Sequence, residues 1–197
     1  MARATLDRQK VIDEAAAIAD TEGLDAVTLT RVAERLGVRQ PALYRHVDGY
    51  DDLVRSLGLR GRERLAERLS TAAQGVAGPD AVRALGDAWR GVVREYPGLY
   101  AATDRFPCAG DAELEAAVEE IVSIIARSLG GFDLDEAQRV HVGRALRSSF
   151  HGFAHLESGD GHPHPHDLEE SFAGLVDLLV AGIRNLERAA DTANATR

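Results

Sequence analysis

The chain has 197 residues, 45% hydrophobic and 28% charged, which excludes a disordered or low-complexity protein and supplies enough apolar side chain for one or two packed domains. No apolar run approaches the roughly eighteen residues that span a bilayer, the first residues are polar with no apolar signal core, and Cys108 is the single cysteine, so a cytoplasmic protein without an intrachain disulfide is expected. The net charge of −9 argues against a nucleic-acid partner only until its distribution is examined: residues 1–68 hold 12 basic and 12 acidic side chains, so the whole imbalance lies beyond residue 68.

In chain order, residues 7–21 predict a first helix whose Val11, Ile12, Ala15, Ala16 and Ala19 form a stripe of small and branched apolar side chains. Thr28 has the hydroxyl to cap a second helix, with Leu29, Val32, Ala33 and Leu36 at helical spacing and Gly37 where the helix must stop. A third begins at once. Pro41 suits its first turn, where a missing N–H costs nothing, and Ala42, Leu43, Tyr44 and His46 follow on a segment too short to be stable alone, so the first helix must back it. The turn Asp48-Gly49 leads into a long connecting helix over 50–73, with Leu53, Leu57, Leu65 and Leu69 apolar.

The stretch 75–79 breaks that helix, and Asp80 can cap another through Ala81, Leu85, Trp89, Val92 and Val93 to Tyr96, ended by Pro97-Gly98. A short helix near 99–103 precedes an irregular segment over 105–110. Asp111 then opens an amphipathic helix bearing Leu114, Val118, Ile121, Val122, Ile125 and Leu129. Gly130-Gly131 terminates it, and Asp133 or Asp135 can cap the next, which runs to 157 with Val142, Leu146, Phe150 and Phe153 on one side. After a polar Gly-Pro-His loop over 158–166, the last helix, 167–190, carries Leu168, Phe172, Leu175, Leu179, Ile183 and Leu186 in a heptad-like stripe, and 191–197 is left as a frayed tail. No strand-like alternation and no internal repeat appear, so the expected fold is all-α, with about nine helices.

The segment Thr28–Val47 has the form of a helix-turn-helix. Residues 6–53 resemble the DNA-binding domain of TetR-family transcriptional regulators: Glu22-Gly23-Leu24, then Val27-Thr28-Leu29, then Val32-Ala33-Glu34-Arg35-Leu36-Gly37-Val38, then Ala42-Leu43-Tyr44-Arg45-His46-Val47 and Leu53 stand in the family's order. A further likeness lies in Phe150-His151-Gly152, which stands where one subgroup has Trp-His-Gly. The resemblance implies a DNA-binding domain at 1–49 made of three helices and a ligand-binding and dimerisation domain at 50–190. It also implies a homodimeric repressor that binds a pseudo-palindromic operator and is released by a small-molecule inducer; activation remains open within the family.

The second helix of the motif would enter the major groove while the first crosses the backbone. Arg39 can bond guanine O6 and N7, Gln40 can do the same for adenine N6 and N7, and the Ala42 methyl can meet a thymine methyl. Tyr44 and His46 would reach phosphates, with Pro41 and Arg45 on the same short helix. The resemblance places Thr28 and Thr30 near the backbone and Leu43 and Val47 in the core. The local basic face would come from Arg3, Arg8, Lys10, Arg31, Arg35, Arg39 and Arg45. Two positions depart from the family pattern: Arg39 stands where Ser is common, and Tyr50, followed by Asp51 and Asp52, stands where a Lys or Arg often contacts phosphate.

For the ligand, the resemblance implies a pocket among Trp89, Tyr96, Tyr100, Phe106, Ile121, Ile125, Leu146, Phe150 and Phe153, which the sequence alone would read as core. Arg90, Arg94, Arg105, Arg144 and Arg147 could balance an anionic ligand. The family dimerises through its last two helices, here offering His151, Gly152, Phe172, Leu175, Leu179, Ile183 and Leu186. Five of the seven histidines fall between His151 and His166, with His151 and His155 at a metal-compatible spacing, but without a compact signature no metal or cofactor is expected. Nucleophile-elbow, P-loop and dinucleotide fingerprints are absent, so no enzymatic activity is expected. The competing reading is a helical small-molecule carrier or enzyme in which the helix-turn-helix is vestigial.

Overall fold

A computed structural model describes residues 6–195, with side chains as far as Arg188. Its α-helices are α1 (Arg8–Glu22), α2 (Leu29–Leu36), α3 (Tyr50–Ala72), α4 (Gly78–Glu95), α5 (Pro97–Ala101), α6 (Ala112–Ser128), α7 (Glu136–Ser158) and α8 (Leu168–Ala195). Between α2 and α3 lies a 3₁₀ helix, Gln40–Arg45, which is the second helix of the helix-turn-helix motif, expected to act as its recognition segment. Together these are nine helices, accompanied by shorter 3₁₀ turns, and no strand occurs among the described residues. The chain divides into two compact units, one running to Arg64 and joined by Glu95–Val118, the other formed by Leu65–Arg94 and the residues from Glu119 onward.

In the first unit the helix ends follow the local chemistry. The Asp7 carboxylate accepts from the Lys10 N–H at 2.8 Å to start α1, and the Thr28 hydroxyl accepts from the Arg31 N–H at 3.0 Å to start α2. Gly37 closes α2 in the left-handed conformation, φ 64°, where an L side chain would be strained. The recognition segment has no such start: Arg39 supplies no side-chain cap and Pro41 no N–H, and six residues cannot nucleate an α-helix on their own. It winds as a 3₁₀ helix and is fixed by burial of Leu43 and Val47, at 0% and 1% exposure, in a core shared with Val11, Ile18, Val32 and Leu53.

Pro97-Gly98 marks the end of one helix and also starts the next. Helix α4 stops at Glu95, Pro97 takes the first turn of α5, and Gly98 lies against α1 so closely that a Cβ would sit 1.9 Å from the Ala19 carbonyl oxygen. Beside it the Leu99 N–H donates to the Asp20 carboxylate at 2.8 Å. Gly58 and Gly61 of α3 make similar room for the backbone at Ala102 and Leu99. In the same unit Arg55 of α3 grips Asp111 with two hydrogen bonds of 2.5 and 2.6 Å at the start of α6, and also reaches Glu113 at 2.7 Å.

The second unit packs aromatic rings around a buried cation. Trp89 and Phe150 lie 6.4 Å apart, Phe150 and Phe172 6.3 Å, and Phe153 and Phe172 5.0 Å, all tilted. Arg90, 4% exposed, stands over Phe172 at 4.9 Å and Phe153 at 5.5 Å. Its charge is met by Glu157 at 2.7 Å and Glu169 at 2.6 Å, and both carboxylates are shared with Arg94. The network thereby joins α4 to the end of α7 and the start of α8. Asp135, rather than Asp133, caps α7, in a reciprocal capping box with Gln138. Helix α8 continues to Ala195, past the end expected near 190; the tail at 191–197 therefore falls partly within it, and 196–197 lie outside the described residues. Among the described residues no helix is long and apolar enough to cross a membrane.

Gly98→Ala should destabilise the protein by about 3 kcal/mol, because the clash is with backbone that cannot rotate away; thermal melts of the variant will show it. Acid should destabilise it as well. Arg55 holds the Asp111 carboxyl down to about 2, from an ordinary 3.8, so the stability this pair contributes is present above pH 4 and is lost as pH falls from there towards 2. Asp111→Asn should flatten the fall of Tm over that interval; an unchanged slope would contradict the assignment.

Candidate functional site

The recognition helix turns four side chains outward: Arg39, Pro41, Tyr44 (53% exposed) and Arg45. Gln40 and Ala42 are half-buried, and Gln40 is already oriented, since its amide oxygen accepts from the Thr30 hydroxyl at 3.0 Å and its nitrogen lies 3.4 Å from the Tyr44 hydroxyl. These contacts join α2 to the recognition helix and leave the Gln40 amide with one face set before any DNA arrives. Thr28 is exposed, though its hydroxyl is engaged as the cap of α2. His46 is half-buried and Tyr50 stands 42% exposed at the start of α3.

The basic face is narrower than the sequence suggests. Arg31 is paired with Glu22 at 3.0 Å, Arg35 with Glu14 at 2.7 Å, Arg8 with Asp52 at 2.8 Å and Lys10 with Asp7 at 3.4 Å. Arg3 lies outside the described residues. Arg39 and Arg45 remain the arginines of the head for which no partner is found among the described residues. They are the cations free to meet an external anion.

The acidic start of α3 is also resolved. Asp52 accepts from both terminal nitrogens of Arg8 at 2.8 Å and from the Asp48 N–H at 2.9 Å, and the guanidinium pulls its pKa below the ordinary carboxylate value. Arg8 also donates to the His46 carbonyl at 2.7 Å and to the Ser56 hydroxyl at 2.8 Å. One side chain from the first turn of α1 thus fixes the end of the recognition helix and the beginning of α3. The sequence reading missed this role for Arg8, because its partners lie 38 to 48 residues away.

The nine residues expected to line a ligand pocket are divided between the two units. Tyr96 and Phe106 pack against the core of the first unit, with Arg64 over the Tyr96 ring at 5.3 Å, and Tyr100 is buried in that unit too. The short linkers before α5 and after it, together with the fit of Gly98 on α1, carry this segment to the helix-turn-helix unit. Trp89, Ile121, Ile125, Leu146, Phe150 and Phe153 belong to the second unit, all buried except the half-buried Phe153. Of the arginines nominated for an anion, Arg90 and Arg94 are held by Glu157 and Glu169, and Arg105 by Asp25 at 2.6 Å. Arg144 and Arg147 are exposed, with no partner among the described residues.

The expected dimer stripe also needs correction. Phe172 and Ile183, at 3% and 4% exposure, face their own unit's core with Val176 and Val180, because these positions recur at helical spacing on the inner side of α8. Leu175 and Leu179 are half-buried, Leu186 is 41% exposed, and the sequence reading missed Leu178, which is 74% exposed. On α7, half-buried Gly152 has nothing within 4 Å of where a Cβ would stand. His151 stacks on His155 at 5.8 Å, and His162, from the polar Gly-Pro-His loop, packs on Phe153 at 4.8 Å with its Nε2 buried and lacking a hydrogen-bond partner among the described residues. No group of three or more potential ligands is arranged to hold a metal among the described residues.

Comparison with known proteins agrees with this architecture. Residues 11–57 match the family described as "Bacterial regulatory proteins, tetR family", and residues 82–179 match "Tetracyclin repressor-like, C-terminal domain". The uncharacterized HTH-type transcriptional regulator Rv0681 of Mycobacterium tuberculosis is 32% identical over 181 residues, covering 91% of this chain and 83% of the relative. Among solved structures, the transcriptional regulator SCO7222, a TetR from Streptomyces coelicolor, superposes with a TM-score of 0.68 at 21% identity, covering 93% of this chain and 100% of that one. A TetR variant from Acinetobacter baumannii AYE, solved in complex with minocycline, gives a TM-score of 0.67 at 23% identity and covers 93% and 99% of the two chains. With its helix-turn-helix and a second helical unit both matched, and with a relative of this identity aligned over most of its length, the chain belongs to the TetR family of transcriptional regulators and is not an enzyme.

Proposed function

We propose that the protein is a cytoplasmic, homodimeric repressor that binds a pseudo-palindromic operator and is released from it by a small molecule. The observation that carries this reading is the pair of unpartnered, exposed arginines, Arg39 and Arg45, on the recognition helix, while the other described cations of the head are engaged. A free guanidinium at the start of the recognition helix suits the guanine edge, and one at its end suits a phosphate. Gln40, held by Thr30, offers its remaining amide valences to a neighbouring adenine. Thr28, Pro41, Ala42, Tyr44, His46 and Tyr50 complete the proposed contact surface. With the first 68 residues carrying no net charge, net attraction to DNA rests on few charges and is salt-sensitive.

The repressor assignment draws on the match of residues 82–179 to a domain described as tetracyclin repressor-like, and the small-molecule ligand on the minocycline complex of the Acinetobacter structure. Two heads related by a twofold axis would occupy half-sites about 34–36 Å apart or a multiple of that. Near-complete release requires the inducer to prefer the released conformation by on the order of 10⁴-fold. For dimerisation the exposed flank of α8, with Leu175, Leu178, Leu179 and Leu186, and the neighbouring open position at Gly152 beside His151 on α7, form the proposed face.

Titration of labelled DNA from upstream of the chain's own gene, followed by fluorescence anisotropy at several salt concentrations, tests the head. Arg39→Ala should cost about 1–3 kcal/mol of operator affinity and relax preference at one base pair per half-site. Arg45→Ala should weaken binding to all sequences alike and reduce the slope of log K against log salt by about one per half-site. Unchanged affinity and preference in both variants would exclude this recognition surface, and no complex even at low salt would favour the carrier reading.

Sedimentation velocity tests the dimer. Because Leu178 and Leu186 are exposed in the monomer, Leu178→Glu with Leu186→Glu should leave folding intact and convert the dimer to a monomer at micromolar concentration. A variant that remains dimeric would move the interface elsewhere.

A further inference from the structure

In the second unit, α6 and α7 are separated by a cleft of about 410 Å³. Its apolar wall is made by Val122, Ile125 and Ala126 from α6 and Val140 from α7, of which Val122 and Val140 stand 42% and 47% exposed for want of any covering group. Its polar side is cationic. Arg139, Arg144 and Arg147 line it against a single carboxylate among the lining residues, that of Glu136.

The three arginines differ. Arg139 is occupied, donating to the carbonyls of Leu134, Leu129 and Phe132. Arg144 and Arg147 have no partner among the described residues, although the chain carries nine more acidic than basic side chains. Nearly every other described arginine outside the recognition helix is engaged by an acid, a carbonyl or a ring, Arg184 on α8 being the exception. Two unneutralised guanidinium groups beside exposed apolar side chains form a surface with two unmet demands, an anion and a hydrophobic body.

We propose that this cleft binds an amphipathic carboxylate, its head held by Arg144 and Arg147 and its apolar body laid along Val122, Ile125 and Val140. At about 30 Å³ for each water-sized group in liquid packing, the space suits on the order of a dozen heavy atoms. The identification of this ligand as the effector rests on the regulatory reading above; occupancy of the cleft does not. Val140, Arg144 and Arg147 recur at i, i+4 and i+7 along one flank of α7, and Gly152 lies on another flank with Ala145 and Ser148. Gly143 opens the cleft further, because a Cβ there would meet only Ile125 Cγ2, at 3.7 Å, an ordinary contact.

Isothermal titration of the full-length protein with decanoate, decanol and decylammonium tests the proposal. Decanoate should bind at least about tenfold more tightly than either of the others, a difference of about 1.4 kcal/mol. Arg144→Ala with Arg147→Ala should remove that preference, and Gly143→Leu, which fills the cleft without touching a charge, should abolish decanoate binding while leaving the thermal melt unchanged. Equal binding of the three amphiphiles, or decanoate affinity unaffected by the two arginines and by Gly143→Leu, would overturn the proposal. Decanoate that binds through Arg144 and Arg147 yet leaves an operator complex intact would uphold the cleft and refute its role as the effector site. An operator complex that forms normally in a protein that shows no decanoate binding would refute the cleft and leave the regulator standing.

Discussion

A recognition helix of six residues cannot hold its own shape in water, since the hydrogen bonds it makes do not offset the order it requires. Its conformation is borrowed from the packing behind it. Leu43 and Val47 enter a core built by α1, α2 and the start of α3, and Arg8 ties the backbone at His46 to Asp52 and Ser56 from the far side. The outward residues Arg39, Tyr44 and Arg45 are positioned because their inward neighbours are not free to move. The same support extends to α5, which reaches α1 through a contact that only glycine permits at position 98.

Charge pairing decides which cations remain available. The head is neutral over its first 68 residues, and most of its arginines are satisfied locally: Arg31 and Arg35 brace α2 against Glu22 and Glu14, and Arg55 anchors the start of α6. These exposed pairs contribute little energy individually, but they withdraw charge from the surface that faces DNA. Arg39 and Arg45 are left, and the departure from the family pattern at position 39 thereby has a physical consequence: a side-chain cap is given up and an unneutralised cation appears at the tip of the recognition helix. At Tyr50 the opposite exchange occurs, and Arg8 removes the Asp52 charge that would otherwise aggravate it.

In the second unit the corresponding constraint is Arg90. A cation at 4% exposure requires neutralisation, and it obtains it from two glutamates on different helices while its faces cover Phe153 and Phe172. Arrangement of the aromatic core around this group fills the space between Trp89 and Phe172 with ring contacts and turns the inner stripe of α8 inward. The flank of α8 bearing Leu178 and the cleft between α6 and α7 are among the faces left open. The proposed pairing and sensing surfaces are drawn from these open faces.

The sequence by itself determined the all-helical class, the helix order and the family, because caps, glycine stops and 3.6-residue apolar periodicity are local and survive in one dimension, although Asp80 falls inside α4 rather than capping it and α5 begins two residues earlier than expected. Asp7, Thr28, Gly37 and Asp135 each act where their chemistry predicts. It also identified the recognition segment, whose pattern spans few residues. Only the tertiary structure decided that Tyr96, Tyr100 and Phe106 pack in the DNA-reading unit, that Phe172 and Ile183 are core while Leu178 is exposed, and which arginines are free. A stripe of apolar residues says that a helix buries one face, but not against which neighbour. An arginine's availability depends on carboxylates tens of residues away, as Arg8 with Asp52 and Arg90 with Glu157 and Glu169 illustrate, and such pairings exist only once the chain has folded.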